Sequence, residues 1–258
     1  AAESMTNAKT GNLPMGIDLV ILSDPVTVQP VAIMDGMVIT AMRTAAAAGV
    51  AAKYLAPKGA KVAGFVGAGV IGRTMIIALK QVMPSLEEIR LCDLKLEKAR
   101  GLAAEFEGII KVIPTDNAEE ALSGADIIAT MTTSREPIVK AKWIKKGAMI
   151  IQMSFCEVER DAAQKADKIV VDNWEQMKEN ELSVISQLVK AGDLDEENIW
   201  ALNQVVCGKK PGRESDEEIT MFSSLGMGCL DIIIGDYLYQ EALKNGLGQK
   251  LVLWDEAK

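Results

Sequence analysis

Gly67-Ala68-Gly69-Val70-Ile71-Gly72 follows the strand-like run Lys61-Val62-Ala63-Gly64-Phe65-Val66 and leads into Arg73-Thr74-Met75-Ile76-Ile77-Ala78-Leu79-Lys80, which reads as a helix. Strand, glycine turn and helix stand in the order that a dinucleotide requires. Gly67 permits the tight turn, Gly69 lets the backbone approach a pyrophosphate, and Gly72 lets the helix lie close to the strand, so that the anion meets the helix N-terminus. The six-residue pattern alone is weak. A second run, Glu88-Ile89-Arg90-Leu91-Cys92-Asp93, adds an acid at a strand end roughly 20 residues on, where a ribose 2′-hydroxyl acceptor belongs. A flavodoxin-like domain would lack that acid.

Outward from this unit the chain alternates strand and helix: strand 88–92, helix 95–106, a strand near Lys111, a helix from Asn117 to Leu122, then strands at 126–130, 148–153 and 166–172. The repetition predicts an α/β fold, a Rossmann-type doubly wound parallel sheet with helices on both faces. Before it, Asn12-Leu13-Pro14-Met15-Gly16 marks a turn. Ile17–Leu22 and Val31–Met34 read as a hairpin across Asp24-Pro25, and a long Ala-rich helix opens at Ile39-Thr40, with Thr40 as a cap, and runs to Leu55. After it, 175–216 read as helix and loop. Glu217–Phe222 lead through Ser223-Ser224-Leu225-Gly226 into a last amphipathic helix, Met227–Leu243, too long and too far from the glycine turn to be a sheet crossover. The expected organisation is a nucleotide-binding domain over 57–221 and a second, smaller domain made from both chain ends, 1–56 and 222–258.

Composition narrows function further. The chain has 258 residues, 49% hydrophobic and 25% charged, with a formal net charge of −8, which argues against a nucleic-acid partner held through phosphates. Cys92, Cys156, Cys207 and Cys229 are scattered, so neither a zinc site nor a disulfide framework is expected. No apolar run is long enough for a bilayer and no secretory signal is seen, so a cytoplasmic protein without a membrane partner is expected. The chain contains no histidine. Proton transfer therefore falls to Lys, Asp, Glu, Tyr, Cys or water, and His-based triads and metal sites are excluded.

Asn12-Leu13-Pro14, Pro30 to Gly36, Ile39-Thr40 with Arg43-Thr44-Ala45, Gly67 to Gly72, Ala125-Asp126-Ile127-Ile128, and Glu218–Phe222 with Gly226 and Asp231 together resemble the ornithine cyclodeaminase/mu-crystallin family. Its members include cyclodeaminases, archaeal-type alanine dehydrogenases and reductases of ketimines and other imino acids. The matching pieces run in family order over nearly the whole chain, and the Ile-Thr-x-x-Arg-Thr segment is the most diagnostic. The resemblance makes Arg43 the anchor of a substrate carboxylate, which suits the planar fork of a guanidinium; without it, a surface or interface ion pair would be the reading. Thr40 and Thr44 position substrate or cofactor, or merely cap and face the helix surface. The resemblance also implies a homodimer formed by the smaller domain.

Two departures follow. The family carries an upstream segment with a lysine that serves the substrate; no motif marks Lys9 as its equivalent, and the expectation is that this chain begins downstream of it. Cyclodeaminases have an aspartate after the strand equivalent to 148–153, where this chain reads Gln152-Met153-Ser154-Phe155-Cys156-Glu157. Cyclodeamination is thus disfavoured.

The resulting expectation is an NAD-dependent oxidoreductase acting on the C–N bond of a small amino or imino acid by direct hydride transfer, an amino-acid dehydrogenase or imine reductase. The alternatives are a cyclodeaminase-type lyase using NAD catalytically and a non-catalytic binder of NAD(P)H and small ligands. Gly67, Gly69 and Gly72 would shape the pyrophosphate turn, with Ala68, Val70 and Ile71 supplying amides. Asp93 would hold the ribose and favour NAD over NADP, a preference that Lys95 weakens. Thr130, Met131 and Thr132, and then Met153 and Ser154, end strands where ligands of such sheets lie, and the family places Ser224, Leu225 and Gly226 near the nicotinamide. Glu157 is either an acidic partner for the substrate nitrogen or a solvated carboxylate at a helix start.

Overall fold

The structure, a computed structural model, describes residues 2–3, 13–14 and 16–252. Asn12 and Met15 of the expected turn, and Lys9, lie outside the described residues. By its contacts the chain forms two compact units, one of residues 1–43 with 228–258 and one of residues 44–227. Residues 44–56 and 222–227 therefore pack with the larger unit.

The larger unit is an eight-stranded sheet in which every neighbouring pair runs parallel. Its strands are β5 (Val62–Val66), β6 (Glu88–Cys92), β7 (Lys111–Thr115), β8 (Ile127–Thr130), β9 (Met149–Gln152), β10 (Lys168–Val171), β11 (Ile199–Ala201) and β12 (Thr220–Ser223), in the order β11-β10-β12-β9-β8-β5-β6-β7. From β5 the sheet grows one way through β6 and β7 and the other way through β8, so the order reverses beside β5. That reversal opens a crevice at the carboxyl ends of β5 and β8. Strands β8, β9, β10 and β12 are buried along their whole length, as a sheet covered on both faces demands. Covering helices include α2 (Val70–Val82), α3 (Leu96–Glu105), α4 (Ala118–Leu122), α5 (Arg160–Ala163) and α7 (Val184–Ala191). Two apolar clusters result. One joins Met75, Ile76 and Leu79 to Ala48, Ala52 and Leu55 over β5 and β6; the other joins Leu122, Ala162, Ile185 and Leu188 over the outer strands. Short helices α6 (Trp174–Met177) and α8 (Leu202–Val206) complete the unit.

Two strands depart from the sequence reading. The stretch 217–223, read as part of the lead through Ser223–Gly226 into the last helix, contains β12, an interior strand between β9 and β10; β11 lies within a region read as helix and loop. Met221 and Phe222 of β12 stand between hydroxyl side chains and make no continuous apolar run, and three residues of β11 are too few to show a pattern.

The smaller unit is built on a ribbon of β3 (Leu19–Ser23) and β4 (Pro30–Asp35), antiparallel as expected. Asp24 Oδ1 accepts from the amides of Val26 and Thr27 and closes the turn. Alternation is clean: Val20 and Leu22 are buried with Ile39, while Leu19 and Ile21 are exposed. The last helix, α9 (Gly228–Lys244), crosses β3 at Gly235, where an added Cβ would stand 3.0 Å from Val20 Cγ1. A short pairing of β1 (Ala2–Glu3) with β2 (Gly16–Ile17) precedes the ribbon. Helix α1 runs Met37–Leu55, two residues earlier than expected, so Thr40 sits inside its first turns and is not the cap. Asp35 Oδ1 accepts the Met37 amide instead. Among the described residues no helix is long and apolar enough to cross a membrane.

At the amino-terminal edge of the sheet Arg213 staples the larger unit. Its guanidinium donates to the carbonyls of Leu55 (2.8 Å), Glu218 (2.6 Å) and Ser215 (3.2 Å) and to Thr220 Oγ1 (3.3 Å). Arg213→Leu removes the donor from all four acceptors, of which the Leu55 carbonyl keeps the Thr220 hydroxyl. We expect a loss of about 2–4 kcal/mol in urea unfolding, whereas a change under about 0.5 kcal/mol would show that water replaces the guanidinium.

Candidate active site

The glycine turn leaves β5 under close steric control. The Gly67 amide donates to the Cys92 carbonyl at 2.8 Å, tying the ends of β5 and β6, and its φ is +113°. A Cβ on Gly67 would lie 2.5 Å from the Met131 carbonyl oxygen, and one on Gly72 would lie 2.2 Å from the Gly67 carbonyl oxygen. Neither position admits a side chain without moving backbone. A Cβ on Gly69 would meet nothing within 4 Å, so the chain there borders open space. Gly69 precedes α2, and Val70, Ile71 and Gly72 carry its first amides, donors that no earlier turn of helix can satisfy.

Asp93 follows β6 and is half-buried. Its Oδ2 accepts the Ala68 amide and its Oδ1 the Lys95 amide, both at 2.9 Å. The carboxylate thus buttresses the glycine turn it neighbours. The Ala68 amide, expected to face a phosphate, is turned to Asp93 instead.

At the end of β8, the Met131 amide donates to the Val66 carbonyl at 2.9 Å, and the Met153 amide, past β9, donates to the Thr130 carbonyl at 3.1 Å. Gln152 braces the next pair of strands: its Nε2 donates to Ser223 Oγ at 3.2 Å while its Oε1 accepts the Val158 amide at 3.1 Å. Gly67, Gly69, Gly72, Asp93, Thr130, Met131, Thr132, Met153, Ser154, Ser224, Leu225 and Gly226 therefore all fall on one edge of the sheet, at or just past the carboxyl ends of β5, β6, β8, β9 and β12.

Sequence reasoning missed Asp172. It ends β10, is buried, and its carboxylate takes four donors: the amides of Asn173 (2.8 Å), Leu225 (3.2 Å) and Gly226 (2.7 Å) and the Ser224 hydroxyl (2.8 Å). It holds the 224–226 turn in place. The signal available in the sequence was an acid directly after an apolar strand, the same cue that marked Asp93.

Glu157 is neither solvated nor at a helix start. It is wholly buried, and α5 begins three residues later. Its Oε1 accepts both the amide and the hydroxyl of Thr132, while Oε2 has no partner among the described residues. Thr130 Oγ1 faces the same carboxyl outside good hydrogen-bond geometry. With no solvent-accessible surface, Glu157 presents no face to a substrate here; it orders the loop that carries Thr132. Burial pushes its carboxyl above the usual range, against the opposing hydrogen bonds from Thr132.

In the smaller unit Arg43 Nε donates to Asp231 Oδ1 at 3.0 Å, and Thr40 Oγ1 reaches the same oxygen at 3.4 Å. Asp18, β3 from Leu19 to Ile21, Thr40, Arg43, Asp231 and Ile232 line a cavity of about 320 Å³. The sequence reading chose Arg43 and Thr40 and used Asp231 only as a family landmark.

A doubly wound parallel sheet with a glycine turn at its switch point and an acid at the end of the second strand defines a dinucleotide-binding α/β protein. Residues 3–246 match the model of the ornithine cyclodeaminase/mu-crystallin family. The chain belongs to that family. It is 34% identical over 252 residues to N-((2S)-2-amino-2-carboxyethyl)-L-glutamate dehydrogenase of Staphylococcus aureus, covering 96% of this chain and 75% of that relative. Among solved structures it is similar to the Delta(1)-pyrroline-2-carboxylate reductase of Thermococcus litoralis in complex with NADH and L-proline, with a TM-score of 0.89, 37% identity, and 96% of this chain and 78% of that one covered. It is also similar to an archaeal alanine dehydrogenase dimer with bound NAD, with a TM-score of 0.87, 35% identity, and coverage of 96% and 78%.

Because folding raises the Glu157 pKa, the stability it contributes is present at low pH and is lost as pH rises through the raised value. Glu157→Gln keeps the acceptor for Thr132 and removes the ionisation. Its melting temperature should exceed that of the parent protein by more at pH 8 than at pH 5; a gap that narrows with rising pH would refute this account of the carboxyl.

Proposed function

We propose that this protein is an NAD-dependent oxidoreductase that acts on the C–N bond of a small amino or imino acid, as a dehydrogenase or an imine reductase. The observation that carries this reading is the Gly67–Gly72 turn: two positions where backbone excludes any Cβ, open space at Gly69, and a carboxylate held at 93 by two amides. Relatives that are dehydrogenases and reductases of such substrates, two of them solved with NADH or NAD, support it.

The residues present fit the dinucleotide. Val70, Ile71 and Gly72 offer their amides and the helix dipole to the pyrophosphate, and Asp93 has lone pairs left for ribose hydroxyls while its charge repels a 2′-phosphate. When bound, the nicotinamide supplies or accepts the hydride. Ser224–Gly226, Met153 and Ser154 are assigned to its other half, the first of these pinned by Asp172. Arg43 grips the substrate carboxylate, and the apolar walls Leu19–Ile21 and Ile232 shape the space beside it. The lyase reading is weaker. The stretch 153–157 after β9 carries no aspartate, Gln152 at the strand's end is spent on bracing strands, and the acid of that stretch, Glu157, is sealed.

The protein acts as a homodimer in this proposal, with exposed apolar residues of the ribbon and the last helix in the smaller unit, Ile33, Ile233 and Tyr237, as the surface that a second copy would cover. The dimeric state of the archaeal alanine dehydrogenase supports that assignment. A cytoplasmic location belongs to the same reading and is in keeping with four free cysteines.

Fluorescence titration with NADH, followed by NADH oxidation with cyclic imines and with 2-oxo acids plus ammonia, tests the function. Binding without turnover of any of these would favour a non-catalytic binder, and ammonia release without net NADH change would favour the lyase. Asp93→Asn should weaken NADH about tenfold, or about 1.4 kcal/mol, and narrow the preference over NADPH. Arg43→Lys should raise KM on the order of 100-fold, since the ammonium loses the two-point grip; a near-normal KM would remove Arg43 from the substrate site.

A further inference from the structure

The proposed reaction needs a partner for the substrate nitrogen, and Glu157 is sealed away. Within the smaller unit the cavity of about 320 Å³ holds a guanidinium and a carboxylate side by side. Both side chains are largely buried, with 15% and 18% of their surface left. Arg43 spends its Nε on Asp231 Oδ1, so its inner edge is taken. Thr40 Oγ1 adds to the same oxygen. Among the described residues the two Nη groups of Arg43 and Oδ2 of Asp231 carry no protein hydrogen bond.

We infer that the Arg43–Asp231 pair is a receptor for a zwitterion, in which the Nη edge takes a carboxylate end-on and Asp231 Oδ2 accepts an N–H from the neighbouring ammonium or protonated imine. The inference rests on the reading of Arg43 as the carboxylate anchor. An α-amino or α-imino acid carries its nitrogen one carbon away from its carboxylate, so its receptor must set a cation and an anion next to each other. The Nε–Oδ1 bond imposes that adjacency.

Charge decides the ligand class. Arg43 and Asp231 neutralise one another before anything binds. A plain carboxylate therefore leaves one negative charge uncompensated beside two largely buried side chains. A ligand that brings its own positive nitrogen leaves none. The pocket should accept amino acids and cationic imino acids, cyclic ones included, and discriminate against 2-oxo acids and other simple carboxylates.

Two isosteric pairs separate these cases: L-proline against cyclopentanecarboxylate, and L-alanine against propanoate. Calorimetric binding to the NAD-saturated protein should favour each amino acid by at least tenfold. In Asp231→Asn the amide oxygen still accepts from Arg43 while the charge is gone. The amino acids should then weaken at least tenfold, and the plain carboxylates should bind as before or more tightly. Equal affinities within each pair in the parent protein would overturn the inference without a variant, so it stays testable should the variant fail to fold. Equal weakening of both members of a pair in the variant would also overturn it, reducing Asp231 to a prop for Arg43. If both members bind equally and Arg43→Lys weakens both, the anchor stands and only the zwitterion receptor falls. If no carboxylate binds, or Arg43→Lys changes neither, both readings fail together.

Discussion

A carbonyl oxygen sets the terms of this molecule. Met131 O stands 2.5 Å from the place where a β-carbon on residue 67 would sit, so the chain leaving β5 passes the end of β8 with room for backbone only. That contact exists because β5 and β8 are neighbours at the point where the strand order reverses. The turn that follows must swing past β6, to which Gly67 is bonded, and α2 must start at once, pressed so near that Gly72 also lacks room for a side chain. A helix N-terminus then emerges at the crevice with its first amides unspent. Topology and steric exclusion thus leave these amides at the crevice before any ligand is considered.

Four acids of the larger unit have four separate tasks, and burial and partners distinguish them. Asp126 works at the opposite edge of the sheet, where it takes the amides of Lys61 and Val62 and the Lys145 ammonium; despite burial, these bonds hold its carboxyl below the ordinary range. Asp172 is saturated by donors from the 224–226 turn and has nothing left for a ligand. Asp93 is half-satisfied, one amide to each oxygen, which leaves acceptor capacity facing outward. Glu157 has one oxygen used and one buried without a hydrogen bond among the described residues, and burial raises its pKa.

Much of this was legible in the chain. The β5 turn, the strands β6 to β10 and the acid at 93 announce themselves because glycine, proline and period-2 or continuous apolar runs report local geometry. Strands β11 and β12 did not, because β11 has three residues and β12 only two apolar ones, Met221 and Phe222, between hydroxyl side chains, and β12 takes its partners from β9 and β10, far away in sequence. Thr40 was misread as a cap because Asp35, two residues before the helix, does that work through its side chain. The role of Asp172 was invisible for a related reason: its partners lie more than 50 residues on, across a strand the sequence concealed.

Glu157 and Asp231 show how far residue type alone can carry an assignment in a protein without histidine. Both are carboxylates, and the first lies in the stretch where a related enzyme class keeps its working aspartate. Solvation reverses the ranking. A carboxyl with no accessible surface cannot meet a substrate nitrogen without rebuilding the loop that Thr132 anchors to it. Asp231 keeps a fraction of its surface in a cavity, is fixed by a guanidinium through one oxygen, and retains the other. An acid fixed at one oxygen and free at the other is preorganised, so little conformational freedom is lost when a cation arrives. The same bond turns the outer edge of Arg43 towards a carboxylate. One ion pair, formed by residues 188 positions apart in the chain, therefore orients both halves of the receptor.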